Sequence, residues 1–512
     1  MRTWLALLVV AAGCRDTAAA HSHDHLVVLL VIDQWPEWAF EQKRPHLQAG
    51  GFERLLAEGD WHVGVHPTAV TLTAPGHALL GTGATPATSG IVANEWWHRD
   101  LGKEMRSVES LAGTANASWL RVPGLGDSIA AAHTGAKAVS VSLKDRAALL
   151  PLGHSGKAIW YSPRTVDWTT NTRTPWLDDW NHRHPIALHL HDVWTPLDPA
   201  QLAALTGRRD YQIGEAGEKG FGSTFPHPLD GTKEPADAIF AAPIGNELVL
   251  DTALAAIDGE HLGIDDKPDL LIVSLSAHDY IAHGWGHESW EAWDATMRLD
   301  RSLATFLDEL DRRVGSGRWS MVVTSDHGAS HLPELVGGGR LRYAQIEAVA
   351  NAAASRVLGP GHWIASPKFP TVFLSDEARA HPDRDVAITS IVEALRAQPG
   401  VGRAERSADF VGGCQNRAPD ARVLCLALDP ERSGEVIYLP AAGWVLEDND
   451  EPLATSHGSS HDYDRQVPVL LLAPTRTRHA LPTAPSGESV PMEQIAGILA
   501  GWLGVTPPSQ LH

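Results

Sequence analysis

Residues 26–33 read Leu-Val-Val-Leu-Leu-Val-Ile-Asp: seven apolar residues closed by Asp33. A short apolar run bounded by polar residues reads as a strand buried on both faces, which is the habit of parallel sheets. Two later stretches repeat the pattern. One runs over 269–276 and leads through Ser-Ala-His to Asp279, with His283 four residues on; the other runs over 320–325 and stops at Asp326 and His327. Open α/β sheets place their sites beyond the carboxyl ends of the strands. Three strand ends that deliver carboxylates and imidazoles therefore predict one shared metal site on a mainly parallel α/β sheet flanked by helices.

The segments between these runs fit that architecture. Residues 289–313 carry Trp293, Met297, Leu303, Phe306, Leu307 and Leu310 at near-helical spacing, an amphipathic crossover helix between two strands. A further strand is predicted at 136–146, ending in charges, and a helix from about Ala74 to Leu80. Between 155 and 245 the periodicity loosens. Trp160, Trp168, Trp176, Trp180 and Trp194 lie among Pro, Asp, Asn and His, which reads as an irregular insertion with tryptophans filling core. Residues 340–430 hold further mixed elements, and strands near 436–439 and 467–472 close the chain. The expected organisation is one α/β domain over 26–505 with insertions near 155–245 and 340–430.

Bulk composition narrows the function. The 512-residue chain is 43% hydrophobic and 20% charged, the balance of an ordinary globular protein. Its net charge of −21 argues against nucleic acid as a partner, because phosphate backbones require clustered Lys and Arg. The N-terminus reads as an export signal: Arg2, then an apolar stretch from Trp4 to Gly13 too short to span a bilayer. Two processing patterns compete there. Ala11-Ala12-Gly13-Cys14 resembles a lipobox that would leave a lipid anchor on Cys14, the only membrane attachment foreseen. Ala18-Ala19-Ala20 suits ordinary cleavage, removing 1–20. Either reading sends the protein to the periplasm or the exterior, where Cys414 and Cys425 are expected to form a local disulfide. His-Ser-His-Asp-His at 21–25 reads as an exposed linker.

The chemistry-bearing residues are Asp33, Asp279, His283, Asp326, His327 and His457, the last in a Gly/Ser loop at 454–459. Asp and His together suit zinc, although Co or Mn accepts the same ligands. Asp279 and His283 face one ion if a helical turn follows the strand; adjacent Asp326 and His327 suit a tight loop. With 27 histidines in the chain, placement at strand ends carries the argument, and His278, His287 and His461 are decoys beside the candidates. The segment Thr71-Leu72-Thr73-Ala74-Pro75-Gly76-His77-Ala78 has two readings. In one, Thr73 is a helix N-cap with Pro75 in the first turn. In the other, a hydroxyl at a helix N-terminus beside a metal serves as a nucleophile toward an anion.

Asp33, the TAPGHA segment at Thr73, Asn94, the Asp279/His283 pair, Ser325-Asp326-His327-Gly328 and His457-Gly458 together resemble the alkaline phosphatase superfamily, in that family's order, over about 26–475. The resemblance is to the branch with a threonine nucleophile, which nucleotide pyrophosphatase/phosphodiesterases share with the phosphate-irrepressible alkaline phosphatases. It implies two zinc ions, one on Asp279, His283 and His457, the other on Asp33, Asp326 and His327 with Thr73 as its reactive ligand. It also implies that Asn94 binds a phosphoryl oxygen. Ser142-Leu143-Lys144-Asp145-Arg146 resembles the monoesterase segment that sets a Lys and an Arg on the phosphoryl group. A monoester dianion carries one more charge than a diester, so fixed cations at Lys144 and Arg146 favour small phosphate monoesters. The competing expectations are a phosphodiesterase or pyrophosphatase on the same core, and a non-catalytic binder of phosphate compounds.

Overall fold

The computed structural model describes residues 24–447, 452–473 and 489–511. The leader, Cys14 and most of the 21–25 His tract lie outside them. The main sheet holds nine strands: β1 (Leu26–Ile32), β2 (Asp60–Val65), β3 (Ala138–Ser142), β4 (Lys157–Ser162), β5 (Asp167–Thr170), β6 (Asp269–Leu275), β7 (Trp319–Thr324), β8 (Gln466–Leu472) and β9 (Ser489–Pro491). Their spatial order is β9-β2-β8-β7-β1-β6-β3-β4-β5. The block β7-β1-β6-β3-β4 is wholly parallel. Antiparallel pairings attach β5 on one side and β8 and β2 on the other.

β1 is the middle strand of the nine, and its seven residues are fully buried. Side chains alternate across a strand. Leu26, Val28, Leu30 and Ile32 enter one core and Val27, Leu29 and Val31 the other. Each such side chain contributes about 1.5–3 kcal/mol by leaving water, which is why the run is apolar at every position rather than at every second one. Helices α3 (Pro243–Glu260) and α5 (Trp290–Leu310) cover the first face. Helices α1 (Thr73–Thr82) and α6 (Ile495–Leu503) cover the second. The predicted strands at 26–32, 269–276, 320–325 and 467–472 and the crossover helix are all present.

The structure corrects three expectations. The 155–245 segment is not irregular from its start: β4 extends the parallel block and β5 is an edge strand, so Trp160 and Trp168 are strand residues. The tryptophans do fill core. Trp168 and Trp194 are buried, and Trp160, Trp176 and Trp180 pack against the two cores. The strand at 436–440 joins not the main sheet but a four-stranded antiparallel sheet with Ile364–Ser366, Thr371–Leu374 and Val401–Arg406, which has its own core. The chain closes on β9 and α6 rather than on β8. Cys414 and Cys425 are disulfide-bonded beside that second sheet. Among the described residues no single helix is long and apolar enough to cross a membrane.

Candidate active site

The carboxyl ends of β1, β6 and β7 meet as the sequence predicts. Asp33 follows β1 directly, and Asp326-His327 follow β7 after Ser325. After β6 the chain turns into helix α4 (Ala277–Trp285), so Asp279 and His283 sit one turn apart on one face, 3.2 Å from each other. His457 arrives from the loop before β8 and stacks on His327, with ring centroids 3.6 Å apart. Two triplets have ligand atoms mutually within 4.8 Å: Asp33–Asp326–His327 and Asp279–His327–His457. His327 stands between the groups, while His283 is tied to Asp279 and to the amide of Gln34.

The imidazoles are oriented for ligation. The Nδ1 atoms of His283, His327 and His457 lie 2.9, 3.0 and 2.6 Å from the backbone carbonyls of Thr455, Gly328 and Thr71. Such a bond places the proton on Nδ1 and leaves Nε2 as a lone pair for a cation. Burial also favours the neutral ring. It pushes His327 down and His457 well down, whereas in His283 Asp279 outweighs burial and raises the pKa. His327 Nε2 faces Asp33 Oδ1 at 3.6 Å and Asp326 Oδ2 at 3.4 Å. Both His327 Nε2 and Asp33 Oδ1 are buried without a hydrogen-bond partner. Lone pairs opposed in a dry site are relieved by a cation, so the residues fit a metal, and the nitrogen–oxygen donor set suits zinc.

Charge points the same way. Asp33, Asp279 and Asp326 are all buried, and one ammonium serves two of them: Lys144 Nζ lies 2.6 Å from Asp33 and 2.5 Å from Asp279. Burial and the Asp326 charge hold Asp33 well above the usual carboxylate range against the pull of Lys144. Burial also opposes ionisation of Asp279, but Lys144 and His283 outweigh it and hold its pKa low. Lys144 itself is held above its ordinary value, the two aspartates overcoming burial. Lys144, expected on the phosphoryl group, bridges carboxylates of the two ligand groups here. Arg146 lies in the first turn of the short helix α2 (Asp145–Leu149) beside them, and its Nε is buried without a hydrogen-bond partner.

Thr73 begins helix α1 and is buried. The N-cap position is Leu72, with no side-chain capping bond, so the reading of Thr73 as the cap is not realised. Asn94 supplies the cap instead, its Oδ1 accepting the Ala74 N–H at 2.8 Å. That bond leaves the Asn94 NH₂ as a donor beside Thr73. Gly76 explains the closeness of α1 to the ligands, because a Cβ there would lie 2.2 Å from the Asp326 carbonyl oxygen.

Several contributors escaped sequence reasoning. Gln34, in the left-handed region at φ 56°, donates its backbone N–H to Asp326 at 3.2 Å and its side-chain amide to Asp279 at 2.8 Å. No motif signals it beyond its position after Asp33. His77 lies 3.0 Å from Asp326 Oδ2 and 2.8 Å from Ser274 Oγ. It was legible within TAPGHA but had no assigned role. Tyr280 carries Lys144 over its ring at 4.9 Å. The decoys stay outside both triplets. His278 contacts the Asp33 carbonyl, His461 contacts Pro440, and His287 lies buried beside His278.

Comparison with known proteins agrees with this geometry. The family described as type I phosphodiesterase / nucleotide pyrophosphatase matches residues 27–464. The alkaline phosphatase PafA of Elizabethkingia meningoseptica is 28% identical, with 92% of this chain and 91% of that protein covered. The alkaline phosphatase PhoV of Synechococcus elongatus is 29% identical over 87% of this chain and 85% of its own length. The crystal structure of wild-type PafA superposes with a TM-score of 0.85 at 26% identity, covering 95% of this chain and 97% of that one. The chain belongs to the type I phosphodiesterase / nucleotide pyrophosphatase family of the alkaline phosphatase superfamily, and is a phosphoric ester hydrolase.

Proposed function

We propose that the chain is an exported alkaline phosphatase that hydrolyses small phosphate monoesters through a phosphothreonine at Thr73. The observation that carries the monoester reading is the placement of Lys144. Its buried ammonium lies within 2.6 Å of carboxylates from both ligand groups, with the Arg146 guanidinium in the next turn of chain. Cations fixed at that junction suit a dianionic phosphoryl group. The relatives named alkaline phosphatase support the reading.

Asp33, Asp326 and His327 on one side and Asp279, His283 and His457 on the other would hold two zinc ions, which would supply Lewis acidity to the displacement. Thr73 gives up its hydroxyl proton to water, its Oγ forms a bond to phosphorus as the bond to the ester oxygen breaks, and the departing alkoxide takes a proton back from water. Water then cleaves the phosphothreonine, restoring the Thr73 hydroxyl and releasing phosphate. Lys144 and Arg146 hold the equatorial oxygens, and the Asn94 NH₂ donates to one of them as charge builds. Gln34 and His77 keep Asp279 and Asp326 aimed. Export rests on the leader pattern of residues 1–20 and is supported by the Cys414–Cys425 bond, which suits an oxidising compartment.

The family match favours a second reading, phosphodiester hydrolysis on the same core. Comparing kcat/KM for p-nitrophenyl phosphate and bis(p-nitrophenyl) phosphate separates the two. The monoester should be preferred by at least about a hundredfold, the scale of one well-placed charge contact in a transition state. A diester preference would overturn the proposal.

A further inference from the structure

The loop that brings His457 to the site is gripped by a residue that the reaction as described does not use. Thr71 stands two positions before Thr73 and is buried. It contacts three consecutive loop residues. Its carbonyl oxygen lies 2.6 Å from His457 Nδ1. Its hydroxyl oxygen accepts the Gly458 N–H at 3.1 Å, and its hydroxyl proton is donated to the Ser459 carbonyl at 3.2 Å. Gly458 and Ser459 are buried too, so the hydroxyl answers a donor and an acceptor that bulk water does not reach.

The local sequence explains this placement. Leu72 is extended, at φ −123° and ψ 155°, and side chains alternate along extended backbone. Leu72 packs against the core of the second sheet, and the threonines on either side of it turn the other way. Thr68, earlier in the same turn, closes on the Val70 carbonyl and does not reach the loop. Gly458 takes φ 109°, a conformation that favours glycine, as it presents its N–H to Thr71. Other bonds hold the loop at its two sides. Ser330 donates its backbone N–H and its hydroxyl to the Ser456 carbonyl, both at 3.1 Å, and Asp464 accepts the Ser459 N–H at 2.8 Å. Thr71 fixes the span between them, which carries the imidazole.

We infer that Thr71 is a positioning residue for the ion of Asp279, His283 and His457: it orders the His457–Ser459 span from the same turn that carries Thr73. The inference rests on the phosphatase reading above, which places an ion on those three residues. The Thr71 carbonyl sets the ring so that Nε2 is the free lone pair, and the hydroxyl holds the backbone under it. A ligand ordered before the metal arrives binds it more tightly than one that must be ordered on binding.

The test measures zinc dissociation constants of the full chain by competition with a chromophoric chelator. His457→Ala identifies which constant belongs to which ion. Thr71→Val keeps the shape of the residue and removes the hydroxyl. It should weaken the ion of Asp279, His283 and His457 by at least about tenfold, the lower end for losing an outer-shell partner, and change the other ion by less than about twofold. Thr71→Ser keeps the hydroxyl and should restore the affinity to within about threefold of the wild type. Added to His457→Ala, Thr71→Val should not weaken the remaining ion further. Thr71→Ala, which admits water between Gly458 and Ser459, should shift the same constant in the same direction and serves if the valine variant does not fold. Unchanged affinity at the His457 ion, or equal weakening of both ions, overturns the inference, even if Tm falls. A wild type with no ion on Asp279, His283 and His457 is a different result: it fails the phosphatase reading, and this inference with it.

Discussion

The two halves of the site are built differently. Asp33, Asp326 and His327 stand at the ends of adjacent parallel strands, and none of their side chains meets solvent. Asp279, His283 and His457 come from a helix and a loop, with side chains 5%, 14% and 6% exposed. The inner half is fixed by the central sheet and lies beside Thr73, the proposed nucleophile. The contrast is between a half locked into the central sheet and a half carried by a helix and a loop that reaches partway to solvent.

Replacing Thr73 by Ala tests the inner half most severely. Turnover of p-nitrophenyl phosphate should fall by on the order of 10⁴ or more, as for other nucleophile deletions, with metal content unchanged by elemental analysis. Retained activity would remove Thr73 from the mechanism. Lys144→Ala and Arg146→Ala come next. Each should lower kcat/KM for the monoester by about 10²–10³ and affect the diester much less, so the ratio of the two substrates should fall. An equal loss on both would mean that the cations only position the metal ligands.

The glycines give a milder comparison. Gly76→Ala sets a Cβ against the Asp326 backbone at 2.2 Å, where nothing can move without moving β7. It should destabilise the protein by about 1–3 kcal/mol, read as a lowered Tm, and depress activity on every substrate. Gly284→Ala meets Glu218 Cβ at 2.7 Å and the Gly217–Glu218 backbone at 3.1 Å, in a loop rather than at the end of a central strand. It should leave Tm less changed. A larger Tm loss from Gly284→Ala than from Gly76→Ala would invert the assignment of rigid and adjustable halves.

The smallest effect concerns pH. Glu215 is pushed by burial from 4.5 up to about 8. Its folded pKa exceeds its unfolded one, so the stability it contributes is full below pH 4.5 and is lost as pH rises toward 8. Glu215→Gln should flatten the dependence of Tm on pH in that window, and an unchanged slope would contradict the shift.

Legibility in the sequence followed the same division. β1, β6 and β7 are buried on both faces, so every residue must be apolar and the strand ends stand out. The inner ligands could therefore be read directly. β4 and β5 lie near the sheet edge with partly exposed residues among Trp, Lys and Thr, and they passed for loop. Gln34 and Tyr280 act through geometry set by the fold, and neither residue type advertises its role. His327 could be named as a ligand, but its position between the two groups depends on stacking with His457, which lies 130 residues away in a loop.

The central claim is a two-ion centre with one ion held mainly by each half. The direct measurement is zinc content per chain by mass spectrometry for the wild type, Asp326→Ala and His457→Ala, each after dialysis against excess zinc and then metal-free buffer. The account predicts two ions in the wild type and one in each variant. A wild type that binds a single ion, or variants that keep both, would contradict it.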